Sequence, residues 1–456
     1  MTGNEILDAM EHIDPDLIEK AETATAKKKR KPYWIAAVAA ALALVIGIGT
    51  LMTPLMIGVH AVSTAEYPKY KRNYNQKMRA TAESLSSFFE QSMLQTLSDS
   101  DCENVAYSPI NLYLALCISA ELTGGDRQIL ELLGSSSLEA LRAQANEVWN
   151  ASYYDDGNQA LLANSLWLDE DLDYNQKVMN TLSKNYYTSV YSGDLGSDAV
   201  NRAIQSWLNE QTGGLLKQES SKVSLDQEIV MALYSTVYYQ AQWGHSYSKQ
   251  PFSQDKNTVD VFHGLNGDLQ CTFMHKEKIN TYYYWGDDFG AVYLPLRDGS
   301  RMWFFLPDEG KTVDDVLESG EYAHFLFSQV YPEDMQDHCK NMKVNLSLPK
   351  FDIRSSGDLK EDLQSMGITN IFDPKNAGLS HAVTGNLDVW FTAVNQATRV
   401  AIDEEGVTAA SYIEMPVAGA PAPPEEIIDF ILDRPFLFVI TNQYNLPLFA
   451  GVVNNP

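Results

Sequence analysis

From Tyr33 to Val59 the sequence YWIAAVAAALALVIGIGTLMTPLMIGV carries no charged residue. No other feature restricts the possible folds as strongly. A helix at the edge of a globular core keeps one polar face toward water, and this run offers none. About 20 apolar residues suffice to cross the roughly 30 Å hydrocarbon layer as a helix. KKKRK at 27–31 stands just before the run, and an excess of Lys and Arg marks the cytoplasmic side. Tyr33 and Trp34 suit the membrane interface at that end. The expected layout is a cytoplasmic tail over 1–32, a transmembrane region over 33–59, and everything beyond it outside the cell. A cleavable signal peptide ending at VHA (59–61) is the competing reading. The long stretch ahead of the apolar run favours a retained anchor.

Residues 60–81 are polar and mildly basic and read as a juxtamembrane linker. From 82 to 456 no repeat or linker interrupts the chain, which is long enough to bury a large core as one domain. Leu85, Phe88, Phe89 and Leu94 have helical spacing, as do Ile204, Trp207 and Leu208 within 200–211, and Asn111 to Leu122 forms another helix candidate. Strand candidates are 161–168, 229–240, 289–296, 300–307 and 343–351, with two apolar strands around a polar turn at the C-terminus. Helices early and strands late indicate an α+β fold.

The net charge of −27 argues against nucleic acid or anionic lipid as the main partner. Cys102, Cys117, Cys271 and Cys339 are scattered without ligand spacing, so no metal is expected and partly buried thiols are the default. GxSxG, HExxH, phosphate-loop and dinucleotide motifs are absent from the sequence. SYSK at 246–249 lacks the companion motifs that would make it catalytic. No enzyme chemistry and no cofactor are expected.

The stretch 402–426, IDEEGVTAASYIEMPVAGAPAPPEE, carries two signatures at once. Val407, Ala409, Ser411, Ile413, Met415 and Val417 alternate with Thr408, Ala410, Tyr412 and Glu414, the period of a half-buried strand. It then ends in Pro421, Pro423 and Pro424, which cannot donate to a ladder and suit an exposed loop.

Residues 82–456 resemble a serpin, a serine-protease inhibitor of the suicide-substrate kind. The matching blocks stand in the family's order: NVAYSPINLYLAL (104–116), AIQSWLNEQTGGLL (203–216), ALYSTVYYQAQW (232–243), AVYLPLRDGSRMWFFLPDEG (291–310), LPKFDIRSSGDLKEDLQSMGITNIFDP (348–374), VAIDEEGVTAAS (400–411) and the terminal DRPFLFVI…PLFAGVVNNP. The resemblance implies a large central mixed sheet, further sheets, surrounding helices and an exposed reactive loop. It implies a monomer whose partner is a target serine protease, held as a covalent acyl complex. After cleavage of the loop, the hinge Glu404, Glu405, Gly406, Val407, Thr408, Ala409, Ala410 and Ser411 would insert as a new central strand. Burying Val407, Ile413, Met415 and Val417 would then contribute about 6–12 kcal/mol. Asn104, Ser108, Asn111, Ser235 and Gln396 match a polar cluster that gates sheet opening, with Asn111, Ser235 and Gln396 replacing the usual side chains. Gln396 stands for a histidine, so the pH response of that position is lost. Trp243 matches the tryptophan where insertion begins. Pro416 would remove one ladder donor late in insertion.

Counting from Gly406 by the family's register reaches Ala420, followed by Pro421. The bait is therefore Ala418, Gly419, Ala420 and Pro421, small and uncharged. It suits the shallow pocket of an elastase-like or subtilisin-like protease, whereas a trypsin-like pocket needs Arg or Lys. A non-inhibitory, membrane-tethered binding or sensor protein would keep the same fold.

Overall fold

The computed structural model describes residues 58–67, 77–98, 103–155, 159–244, 252–328, 337–385, 388–407 and 426–456. Two large sheets account for most of the strands. With strands numbered along the chain, the first sheet contains β1 (Val59–Ser63), β3 (Tyr154–Asp155), β4 (Gln159–Asp169), β5 (Thr188–Gly193), β6 (Met231–Gln242), β12 (Phe351–Asp358), β13 (Asn395–Ile402) and β14 (Gly406–Val407). Their order is β1-β5-β4-β6-β14-β13-β12, with β3 paired to β4. The second sheet contains β2 (Val105–Tyr107), β7 (Thr258–Gly264), β8 (Gly267–Trp285), β9 (Phe289–Pro295), β10 (Arg301–Pro307), β11 (Cys339–Pro349), β15 (Ile427–Ile431), β16 (Phe436–Thr441) and β17 (Pro447–Val453). Its order is β15-β11-β8-β9-β10-β16-β17-β2, with β7 on β8. The sheets are mixed: β4 runs parallel to β5, and β11 parallel to β15, while the remaining pairs are antiparallel.

Three helices lead the described helical segments: α1 (Lys77–Ser84), α2 (Ser86–Leu97) and α3 (Pro109–Thr123). Helix α3 starts where the Ser108 hydroxyl accepts the Asn111 N–H and Pro109 occupies the first turn, a position that needs no donor. It stops at Gly124, whose φ of 74° lies in the left-handed region that glycine enters without a Cβ clash. Almost every α3 residue is buried, because the helix contacts β6 of the first sheet and β17 of the second. A buried helix between two sheets has little water to face, which explains why the Asn111–Leu122 pattern is apolar apart from Asn111, Ser119 and Glu121.

The expected strands correspond to β4, β6, β9, β10, β11, β16 and β17, with ends displaced by up to two residues except that β11 starts four residues earlier, at Cys339. The linker expectation is corrected. Val59–Ser63 pairs with β5 from Val59↔Gly193 to Ser63↔Val190, and α1 begins at Lys77 with Met78 and Ala82 buried. Folded structure thus precedes residue 82. Five residues of edge strand carry too little periodicity to stand out in a polar stretch, since the energy comes from the partner strand. Tyr67 continues this attachment by stacking on Trp149, Tyr153 and Tyr187. Apart from Gly58 and Val59, the expected transmembrane region and the tail before it lie outside the described residues, and Val59 itself is in a strand rather than a spanning helix. Among the described residues no helix is long and apolar enough to cross a membrane.

Candidate functional site

The first sheet is not uniformly paired. β4 and β6 face each other from Gln159↔Gln240 through Leu168↔Met231, and β12 and β13 from Phe351↔Ile402 through Asp358↔Asn395. Among the described residues only β14 stands between β6 and β13, pairing Gly406↔Gln242 and Val407↔Ala241 on one side and Val407↔Ile402 on the other. Further down, β6 and residues 388–396 wall a cavity of about 310 Å³ floored by α3. Leu112, Leu116, Leu233, Val389 and Phe391 line it together with Asn111, Ser235 and Gln396.

Gly406 is required here by space. A Cβ at this position would meet the Ala241 carbonyl oxygen and the Gln242 Cα, both closer than any real Cβ approaches. Val407 follows it into the buried face and is 2% exposed. The turn leading to β14 is held by side chains and backbone together. Asp403 accepts the N–H groups of Glu405 (2.8 Å) and Gly406 (3.2 Å). Trp243 is buried against Phe252 with ring centroids 5.8 Å apart, and its indole N–H donates to the Asp403 carbonyl at 2.8 Å. The backbone N–H of Trp243 donates to the Glu405 carbonyl at 3.0 Å.

Glu404 is buried and bound on two sides. Lys350 Nζ lies 3.1 and 3.0 Å from its two oxygens, and Asn257 Nδ2 donates to Oε1. Burial alone raises a carboxyl pKa, yet here the bonds from Asn257 and the backbone and the Lys350 charge outweigh it, so the group sits below the usual glutamate range. Its neighbour Glu405 is shifted up, by burial first and then by Asp403 and Glu404.

Helix α3 holds both banks of the seam. On the β6 side, Asn111 Nδ2 donates to the Ser235 carbonyl at 2.9 Å, and the Ser235 hydroxyl reaches the amide oxygens of Asn111 and Asn164, the latter at 2.5 Å. On the β13 side, Gln396 accepts the Ser108 N–H at 2.6 Å and donates to the Ser108 carbonyl at 3.2 Å. Ser108 Oγ in turn donates to the Leu448 carbonyl of β17 at 2.6 Å. Ser108, Asn111, Ser235 and Gln396 therefore form one hydrogen-bonded group, whereas Asn104 stands apart from it. The Asn104 side chain instead accepts the N–H groups of Asn454 and Asn455 and donates to the Asn455 carbonyl, clasping the chain end. Trp243 belongs to the upper end of the seam. Thr408, Ala409, Ala410 and Ser411, and the bait Ala418, Gly419, Ala420 and Pro421, lie outside the described residues.

Sequence reasoning passes over Asn164, Lys350 and Asn257. Asn164 could have been found as a polar residue in the middle of the apolar strand LLANSLWL, directly opposite Ser235. Lys350 and Asn257 carry no local signal, because they are brought to Glu404 only by the pairing of distant segments. Cys117 and Cys339 are buried free thiols and Cys271 is a half-buried one, while Cys102 lies outside the described residues.

The family model for serpins, described as serine protease inhibitors, matches residues 84–456. The chain belongs to the serpin family. Serpin-Z2B of Triticum aestivum is 26% identical over 385 residues, 80% of this chain and 93% of that protein. The thermophilic serpin tengpin in its native state superposes with a TM-score of 0.72 at 22% identity, covering 88% of this chain and 100% of the other. Arabidopsis AtSerpin1 in its native stressed conformation gives 0.68 at 24% identity, covering 84% and 99%. Membership assigns this serpin a protease-inhibitor type of function. β1 and most of α1 lie ahead of the matched region.

Proposed function

We propose that this serpin is a suicide-substrate inhibitor of elastase-like or subtilisin-like serine proteases, anchored in the membrane by residues 33–57 with its inhibitory domain outside the cell. The observation that carries the reading is β14. Two hinge residues already sit as the first rungs of a strand between β6 and β13, above a cavity that a longer strand would fill. A protease serine attacks the bait carbonyl, forms an ester to it and releases the new amine. The freed hinge side then extends β14 down the seam before water can cleave the ester. Because Val407 is already buried, the remaining gain comes from Ile413, Met415 and Val417, roughly 4.5–9 kcal/mol.

The full chain mixed with elastase, subtilisin and trypsin provides the test. The expected result is an SDS-stable complex with the first two and none with trypsin, and Ala420→Arg should redirect the complex toward trypsin. Cleavage by all three without any stable complex overturns the trap and favours a tethered binding or sensor protein. For topology, protease added to intact cells should remove the large domain, and full protection overturns the outward orientation.

A further inference from the structure

A buried carboxylate ties the upper end of the first sheet to the second. Asp298 lies in the turn between β9 and β10, is 5% exposed, and accepts hydrogen bonds from two tyrosines on two different strands. Tyr154 of β3 donates to its Oδ2, and Tyr239 of β6 donates to the same oxygen at 3.0 Å. Within the turn, Ser300 supplies its N–H to Oδ1 at 3.0 Å and its hydroxyl to Oδ2 at 2.8 Å.

The register explains how both hydroxyls reach one acceptor. Ala160 of β4 is paired with Tyr154 on one side and Tyr239 on the other. Directly opposite residues share a face, so the row Tyr154–Ala160–Tyr239 points to one side with a small residue in the middle. Two residues beyond Tyr239, on the same face, is Ala241, the partner of Val407. The same turn also grips the backbone of β6 at that end. Arg297 N–H donates to the Gln242 carbonyl at 3.0 Å and Gly244 N–H to the Pro295 carbonyl at 2.6 Å.

We infer that Asp298 is a positioning residue for strand insertion: it pins the ends of β3 and β6 to the second sheet, so that the Ala241–Gln242 backbone is preset to receive Gly406 and Val407. Insertion begins from those two pairs. Loosening their template lowers the population of the starting state and slows everything after it, without requiring Asp298 to touch the incoming strand. Burial holds the Tyr239 phenol well above its usual pKa, so it remains a neutral donor.

The inference rests on the inhibitor reading for its purpose, but it can be read without a protease. A synthetic peptide of sequence TAASYIEMPV, residues 408–417, which continues from the docked Val407, is added to the full chain and its annealing rate is followed by tryptophan fluorescence and native gel. Asp298→Asn removes the charge and leaves one acceptor oxygen where the carboxylate has two, and Tyr239→Phe removes one donor. Both should slow annealing roughly fivefold or more, the scale of a lost bond to a charged group. Arg127→Ala, an exposed change outside this cluster, should anneal like the parent. Unchanged annealing in Asp298→Asn and Tyr239→Phe, with only a lowered melting temperature, overturns the inference and leaves a purely structural contact. Faster annealing, or a parent that takes up no peptide, overturns it as well. If Asp298→Asn does not fold, Tyr239→Phe and Tyr154→Phe decide. A parent that anneals peptide yet forms no protease complex defeats the inhibitor reading alone.

Discussion

The β4–β6 ladder and the β6–β13 seam share a strand and differ in almost everything else. The first is continuous along β6 and covered by apolar side chains such as Leu162, Leu166 and Trp167. Among the described residues the second is joined by two residues of β14, then by side-chain bonds of Asn111 and Gln396 at the start of α3, beside a cavity. Backbone ladders are strong because every rung supports its neighbours, whereas a side-chain bridge can be exchanged for a ladder without breaking the strands on either side. The difference implies a sheet that parts along one line as two intact blocks, with β6 leading one and β13 the other.

The largest test of this contrast is Ala409→Arg. By period-two alternation from Val407, residue 409 would face the interior on insertion, and an unpaired buried charge costs several kcal/mol. Protease should be released active, with SDS-stable complex lost, while Thr408→Arg on the opposite face should retain most of it. Equal, undiminished complex in both variants would rule out insertion along this seam. Next comes Asn111→Ala, which removes the bridge to Ser235 and should cost about 1–3 kcal/mol in the uncleaved protein. Its thermal midpoint should fall while that of the cleaved form changes less, because the inserted strand supplies the missing pairing. Tyr67→Ala acts far from the seam, where a half-exposed ring stacks on others; a loss of about 0.5–1.5 kcal/mol is expected, with the inhibitor-to-substrate ratio unchanged. The smallest effect is confined to acid. The Glu404 pKa is depressed in the folded state, so its contribution is complete above the ordinary glutamate value of about 4.3 and disappears as pH falls through the lower folded value. The thermal midpoint of the uncleaved protein, followed from pH 6 downward to about pH 3, should fall as the Glu404 contacts are lost, and Glu404→Gln should remove this part of the fall.

Much of the fold is visible in the sequence where one segment carries its own signal. β10 reads as a strand because RMWFFLP is a short apolar run bounded by a Gly-Ser turn and a Pro, and most of α3 reads as a helix over Asn111 to Leu122, while its start at Ser108 and Pro109 is seen in the structure. Segment 402–426 is legible for another reason: strand alternation and closing prolines stand side by side, the conflict that the proposed insertion requires. What stays hidden depends on segments meeting. The strand alternation of 402–426 does not reveal that Val407 is already docked, and no property of Asp298 or Lys350 alone marks it for the sheet's upper end. Asn104 shows the limit from the other side. Its motif position is right, yet the chain terminus, not the seam, supplies its partners.

β1 bears on a different hazard. On the proposed mechanism the sheet admits a strand along one line and must refuse strands elsewhere, or copies of the chain will stack edge to edge. The outer edge of the sheet is closed here by five residues whose register breaks between Ala61 and Ser63. A short, bulged border strand is a poor template for a neighbour's backbone. Colloidal behaviour, and not only inhibition, is therefore written into the segment that joins the domain to what precedes it: a chain lacking residues 58–67 would expose the straight flank of β5 to any other strand in solution.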